Sequence, residues 1–212
     1  MENAAVKLAQ SVGYVGVGTV EFLLSTQGPQ FLEINPRLQV EHGITEEITG
    51  LDLVELQIRI ARGESIANLE VREHGVAIEA RVCAEDPDAG FMPSPGSIAL
   101  FDPSLGPRLR LDSGVSGGST VPADFDSLIA KVIASGETRE EARARLVCAL
   151  RDFQLVVRGG ATNKGYLLQL LEADAYRRGA VDTGWLDRWN QEREESDEIA
   201  GFGARDALVA AA

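Results

Sequence analysis

Cysteine is scarce in this chain. There are two in 212 residues, Cys83 and Cys148, and neither belongs to a C-x-x-C pair, so zinc-ligand and redox-motif readings have no support. A reduced pair of thiols is expected rather than a disulfide. Basic residues are also short: 20 Lys and Arg stand against 33 Asp and Glu, a formal net charge of −13. Binding to a phosphate backbone needs clustered Lys and Arg, so this balance argues against nucleic acid and against an anionic membrane surface. There is no apolar run long enough for a membrane span and no basic-then-apolar leader. The expectation is a soluble, cytoplasmic protein with neither nucleic acid nor membrane as partner. A glycine-rich phosphate cradle is missing as well, because Gly13, Gly16 and Gly18 are spread through a helix end and a strand start. No internal repeat is evident. The acidic residues Glu192, Glu194, Glu195, Asp197 and Glu198 and the alanines 210–212 read as a solvated end.

What is present is a globular composition, 44% hydrophobic and 25% charged, enough for one good core or two small ones. One segment stands apart. Residues 33 to 41 place Glu33, Asn35, Arg37, Gln39 and Glu41 on every second position, the period of one face of an extended segment. Upstream, the apolar-rich runs 17–24 and 30–35 flank Ser25-Thr26-Gln27-Gly28-Pro29, a hairpin loop by its Gly and Pro. A hairpin centred on Gln27 sets Glu21 opposite Glu33. Facing like charges destabilise a strand pair unless a cation lies between them. Mg²⁺ or Mn²⁺ takes carboxylate and amide oxygens and leaves positions open for phosphates, so Glu21, Glu33 and Asn35 form a candidate metal set. The alternative is a half-buried strand with a wet outer face.

Elsewhere, periodicity predicts helices over 2–11, 51–61 with Asp52 as N-cap, 137–153 capped by Thr138, and 163–172. Strands are expected over 76–82, 97–101, 109–111 and 126–135, with a stiff turn at 92–96. The connection 64–73 marks a domain boundary. Arg81, on a mostly apolar strand, reads from its neighbours as a surface partner of Glu79 or Glu85. Asp126 and Lys131 are explained as well by an ion pair as by catalysis. His42 reads as a packing or hydrogen-bonding residue on the opposite strand face, His74 as surface, and Trp185 with Trp189 as tail packing.

The runs Gly18-Thr-Val-Glu-Phe-Leu23, Phe31-Leu-Glu-Ile-Asn-Pro-Arg-Leu-Gln-Val-Glu-His42 and Thr45-Glu-Glu-Ile-Thr-Gly-Leu-Asp-Leu-Val54, then Glu79-Ala-Arg81-Val-Cys-Ala-Glu85-Asp86-Pro87, Pro93-Ser-Pro-Gly96, Asp126-Ser-Leu-Ile-Ala-Lys131 and Thr162-Asn163 resemble biotin carboxylases. The resemblance covers about residues 1–190. It implies an α+β fold: the end of an ATP-grasp domain over 1–63, then over 74–190 a mixed α/β C-terminal domain with a mainly antiparallel sheet, and an acidic, Ala-rich tail over 191–212. It also implies the roles. Glu21, Leu23 and Glu33 would bind ATP, and Glu21, Glu33 and Asn35 would bind Mg²⁺ or Mn²⁺. Arg37, Gln39, Val40 and Glu41 would bind bicarbonate. Arg37, Glu41 and Arg81 would be catalytic, with Glu41 taking the bicarbonate proton and Arg81 holding biotin at its ureido oxygen. The implied partners are bicarbonate, a biotin carboxyl carrier domain, a carboxyltransferase subunit or domain, and a second copy in a homodimer, with Arg110 near the matching surface. The family usually has Pro after the Glu-His pair where this chain has Gly43. A complete member is roughly twice this length and includes an N-terminal domain and a mobile lid, so this chain is expected to be a fragment, inactive alone. Two alternatives stay open: a non-catalytic structural or dimerisation module, and another ATP-grasp ligase.

Overall fold

The computed structural model describes residues 1–200, with side chains described through Arg193; the alanine-rich end lies outside the described residues. Its contacts cluster into two units, 1–168 and 169–212. The first begins with helix α1 (Glu2–Ser11) and the antiparallel hairpin β1 (Thr19–Ser25) and β2 (Gly28–Asn35). Only Thr26 and Gln27 lie in the turn, since Ser25 pairs with Gly28, so Gly28 and Pro29 belong to the strand and not to a loop. That tight turn alone would misalign the carboxylates. A bulge after Glu21 takes up one residue of β2 and restores the register, bringing Glu21 opposite Glu33 and Thr19 opposite Asn35.

The extended stripe expected through Glu41 stops at Asn35. Pro36 has no N–H for a ladder, and the Arg37 N–H turns back to the Asn35 carbonyl at 2.8 Å. Residues 36–41 form an irregular segment and turn leading into helix α2 (His42–Thr49), which period-two reading had missed. His42 is therefore the first residue of a helix, not the back of a strand. Gly50, in the left-handed conformation at φ 71°, closes α2. Helix α3 (Leu53–Ala61) follows, its first turn capped by Asp52, which accepts from the Glu55 N–H at 2.7 Å.

Two antiparallel three-stranded sheets dominate the rest of this unit. In chain order come β3 (Val76–Cys83), the short pair β4 (Glu85–Asp86) and β5 (Met92–Pro93), β6 (Gly96–Asp102), β7 (Leu109–Ser113), β8 (Thr120–Val121), β9 (Leu128–Gly136), helix α4 (Arg139–Asp152), β10 (Gln154–Arg158) and helix α5 (Lys164–Glu172). The sheet orders are β3-β9-β7 and β10-β6-β8. Thr138 caps α4 by accepting from the Glu141 N–H, and Glu141 accepts from the Glu137 N–H in return, close to a reciprocal capping box. Strand β10 was not expected from sequence, being five residues long between a helix and Gly159-Gly160. The second unit holds the end of α5, α6 (Asp174–Arg177) and α7 (Trp185–Ala200). Trp185 and Trp189 stack on each other there, 5.7 Å between ring centroids.

The central sheet has two unlike faces. One carries Ala80, Val82, Ala130, Val132 and Ala134 and is packed by α4 through Ala142, Leu146, Ala149 and Leu150, all buried. The other carries two cross-strand rows, Arg81–Lys131–Asp112 and Glu79–Ile133–Arg110, and is covered by α2. The approach is close at Gly43, where an added Cβ would run into the Ile133 terminal methyl and come within 3.7 Å of the Arg110 guanidinium carbon and 3.8 Å of Asp112 Oδ2. Glycine stands here because Ile133 fills the space a side chain would need. Gly43→Ala gains up to ~1 kcal/mol of helix propensity but is expected to lower stability by a net ~1–2 kcal/mol through overpacking. Ile133→Val in the same chain should recover at least half of that loss. Urea unfolding of the parent and the two variants checks this, and a stabilised Gly43→Ala would contradict it.

Candidate functional site

The hairpin brings the first group together. Asn35 donates from Nδ2 to Glu21 Oε1 and to Glu33 Oε1, both at 2.9 Å, and Gln39 donates to the same Glu21 oxygen at 3.0 Å. The facing carboxylates are thus bridged by an amide nitrogen. The amide is nearly isosteric end for end, so turning it over would present a third oxygen to a hard cation beside two carboxylates. That donor set fits Mg²⁺ or Mn²⁺ with positions left for phosphate. Among the described residues no group of three or more His, Cys, Asp or Glu side chains offers a metal site, so the amide is needed to complete one. Leu23 lies beyond the bulge, opposite Gln30, with its side chain exposed.

The second group lies on the segment after β2. Loss of the strand has not scattered it: Arg37, Gln39 and Glu41 line one cavity of about 370 Å³ together with Gly18, Thr19 and Thr45. The Arg37 guanidinium donates to the Leu38 carbonyl at 3.2 Å. His42 Nδ1 lies 2.8 Å from the Gln39 carbonyl, a hydrogen-bonding role within the turn.

The third group meets the second at Glu41. Arg81 Nη2 donates to Glu41 Oε2 at 2.5 Å, and its Nε lies 3.4 Å from Glu79 Oε1. The reading of Arg81 as a partner of Glu79 or Glu85 is met at Glu79, while its shorter contact is to a carboxylate 40 residues away. Arg81 and Val40 also line a cavity of about 400 Å³ with Cys83, Pro93, Phe125 and Asp126. The two cavities adjoin the same dipeptide, Val40-Glu41.

The charged sheet face holds this dipeptide from below. Lys131 Nζ donates to the Val40 carbonyl at 2.9 Å and lies 3.1 Å from Asp112 Oδ2. The ion pair considered for Lys131 with Asp126 does not form; Asp126 instead accepts from the Leu128 N–H in its own turn. Arg110 grips Asp112 with two donors, at 2.8 and 3.0 Å, and reaches Glu46 of α2 at 2.6 Å. Glu46 in turn accepts from the Leu53 N–H at the start of α3, at 2.7 Å. Burial alone would raise the Asp112 carboxyl, but the hydrogen bonds from Arg110 and Lys131 outweigh it and hold it below the usual carboxylate range. Those same bonds, Asp112 first and Glu46 second, keep Arg110 firmly protonated. Glu79 differs: burial, with only 3% of its side chain exposed, pushes its carboxyl up, and its Oε2 has no hydrogen-bond partner.

Asn163 was quoted from sequence only as part of a motif, and the structure gives it work. It accepts from the Cys83 N–H at 2.9 Å and donates to the Arg81 carbonyl at 3.1 Å, stapling the strand at the irregularity after Val82 and so fixing the direction of Arg81. No local pattern could have shown it, because its partners lie about 80 residues upstream.

This geometry defines a class: an acidic hairpin whose donor set suits a hard cation, joined through a polar turn to a sheet that presents a guanidinium. Comparison with known proteins agrees. Residues 79–188 match the family model for the biotin carboxylase C-terminal domain, and residues 1–69 match that for the carbamoyl-phosphate synthase L chain ATP binding domain. The chain belongs to the biotin carboxylase family. It is 43% identical over 202 residues to a chloroplastic biotin carboxylase of Arabidopsis thaliana, covering 94% of this chain and 37% of that one. It is 44% identical over 194 residues to biotin carboxylase 1 of Bacillus subtilis, covering 90% and 43% respectively. Among solved structures it is similar to the biotin carboxylase domain dimer of Hydrogenobacter thermophilus 2-oxoglutarate carboxylase, in complex with MgADP, ADP and bicarbonate. The TM-score is 0.83 at 37% identity, over 87% of this chain and 41% of that one. The chain thus spans well under half the length of the curated relatives it matches. No helix among the described residues is long and apolar enough to cross a membrane.

Cys83, on the wall of the Arg81 cavity, is pushed up to about 11 by burial, with Glu85 adding to it. That leaves about one thiolate in a thousand at pH 8. Iodoacetamide at pH 8 should label the exposed Cys148 and spare Cys83 in the folded chain, with both labelled in urea. Equal labelling rates in the folded chain, measured by peptide mass spectrometry, would contradict this environment.

Proposed function

We propose that this chain supplies the bicarbonate-activating and biotin-orienting half of an ATP-dependent biotin carboxylase, acting within a biotin-dependent carboxylase. The observation that carries the reading is the junction at Glu41, whose carboxylate lines the Arg37 cavity and also meets Arg81 of the second. Arg37 offers a planar fork for an anion of bicarbonate geometry, with Gln39 and the Val40 backbone orienting it. Glu41, across the same cavity, would take its proton, leaving the anion to attack the γ-phosphate of ATP. Attack would expel ADP, and the carboxyphosphate formed would break down to CO₂ and phosphate next to the second cavity. That phosphate would take the biotin ureido N–H proton, Arg81 would stabilise the negative charge developing on the ureido oxygen, and the freed nitrogen would add to CO₂. Glu21, Glu33 and Asn35 would hold the divalent cation, which when bound neutralises charge on the ATP phosphates. Leu23 contributes to the nucleotide side in this reading.

The proposed division into 1–63 and 74–190 puts the boundary in the connection between α3 and β3, and the family matches over 1–69 and 79–188 support it. A carrier domain bearing biotin, a carboxyltransferase, a second copy of the protein and a cytoplasmic location belong to the same proposal and rest on the family. Arg110, expected near the dimer surface, already uses three of its five N–H donors inside the chain. A dimer contact there would have to be made by its remaining exposed edge.

Two substitutions in an enzyme carrying the complete ATP cleft separate the steps. Arg37→Lys keeps the charge and loses the fork, so bicarbonate-dependent ATP cleavage should fall ~100-fold even at saturating substrate. Arg81→Lys should lower biotin carboxylation by a similar factor while leaving much of the bicarbonate-dependent ATP cleavage. Equal loss of both activities in the two variants would overturn the assignment.

A further inference from the structure

The hydrogen bonds beneath the Val40-Glu41 dipeptide form a closed circuit. It leaves the chain at the Val40 carbonyl, runs through Lys131, Asp112 and Arg110, and returns at Glu46, one turn into the helix that the dipeptide leads into. Every link is 3.1 Å or shorter, and the Lys131 side chain is only 10% exposed. A buried ammonium is costly unless its charge and donors are answered. Here they are answered by one carboxylate and by one backbone carbonyl, that of a residue assigned to bicarbonate. An ammonium needed only for sheet stability could be replaced by an apolar side chain of similar length. One that reaches out of the sheet to a turn carbonyl fixes a peptide plane, and with it the direction of the N–H and side chains on either side.

We propose that Lys131 is a positioning residue for the bicarbonate site: it holds the Val40 peptide, with Asp112 and Arg110 holding Lys131, so that Gln39, Val40 and Glu41 are set before the anion arrives. This rests on the bicarbonate reading given above. Its advantage is that a turn outside regular structure is fixed from the rigid sheet, which a loop of six residues starting at Pro36 could not do alone.

The test uses the 212-residue chain, isotopically labelled, with sodium bicarbonate as the probe. In the parent chain, titration should shift the amide signals of residues 37–42 saturably. Lys131→Met should displace the Val40 and Glu41 signals before any bicarbonate is added, leave those of α4 and β10 in place, and raise the bicarbonate midpoint about tenfold, the factor expected for a lost site-ordering hydrogen bond. Lys131→Arg, which keeps a cationic donor, should restore most of both. Unmoved Val40 and Glu41 signals, or an unchanged midpoint with a folded Lys131→Met, would overturn the proposal. If Lys131→Met does not fold, Asp112→Asn removes the counter-ion while keeping the lysine, and the same displacement or its absence decides. A parent chain blind to bicarbonate would count against the bicarbonate reading; the displacement of Val40 and Glu41 by Lys131→Met would still decide the positioning role.

Discussion

The contact on which the arrangement depends is the Arg110 guanidinium, which binds Asp112 along its own strand and Glu46 on the helix above. Without it, α2 would lie on a sheet face bearing Glu79, Arg81, Lys131 and Asp112, four charges that apolar packing cannot hold against a helix. With it, the helix is fastened at its middle, and the turn that precedes it is brought to Lys131 and Arg81. Glu46 also caps the start of α3, so a single side-chain pair sets the path of the chain from Val40 to Leu53. Gly43 is the steric counterpart of this electrostatic fastening: the helix can come this close only because residue 43 has no side chain.

The two faces of the central sheet divide the labour of the domain. The α4 face is apolar, buried and closed, and supplies most of the core. The α2 face is ionic, partly open and organised around reach rather than volume, with Arg81 and Lys131 aimed at consecutive residues of one turn. A rigid scaffold on one side and a polar constellation on the other is what pre-organised electrostatic stabilisation requires. Arg81 is paired with Glu41, so proton uptake by Glu41 in the proposed reaction would weaken that pair at the moment when Arg81 is needed by biotin.

Much of this was legible in the sequence, and the failures have physical causes. The facing carboxylates Glu21 and Glu33 were placed correctly from the hairpin, although the true turn is tighter and a bulge restores the register. The alternation through Glu41 was misread as one strand because period two says nothing of where hydrogen bonding ends, and Pro36 ends it. The residues nonetheless converge, since a turn can gather side chains as a strand face does. Helix α2 escaped because its buried positions include Gly43 and Glu46, which do not register as an apolar stripe. The roles of Arg110, Lys131 and Asn163 escaped because each depends on a partner 64 to 91 residues distant, which only the folded sheet brings within reach.

The most direct test of this account is a double-mutant cycle on Glu46→Gln and Arg110→Met, read by urea unfolding of the 212-residue chain at pH 7. If the pair fastens α2 to the sheet, the two losses will be coupled by about 1–3 kcal/mol, because each substitution removes the same contact. Losses that add to within about 0.3 kcal/mol would mean that the helix is held by other contacts and that the circuit through Arg110 does not set the site.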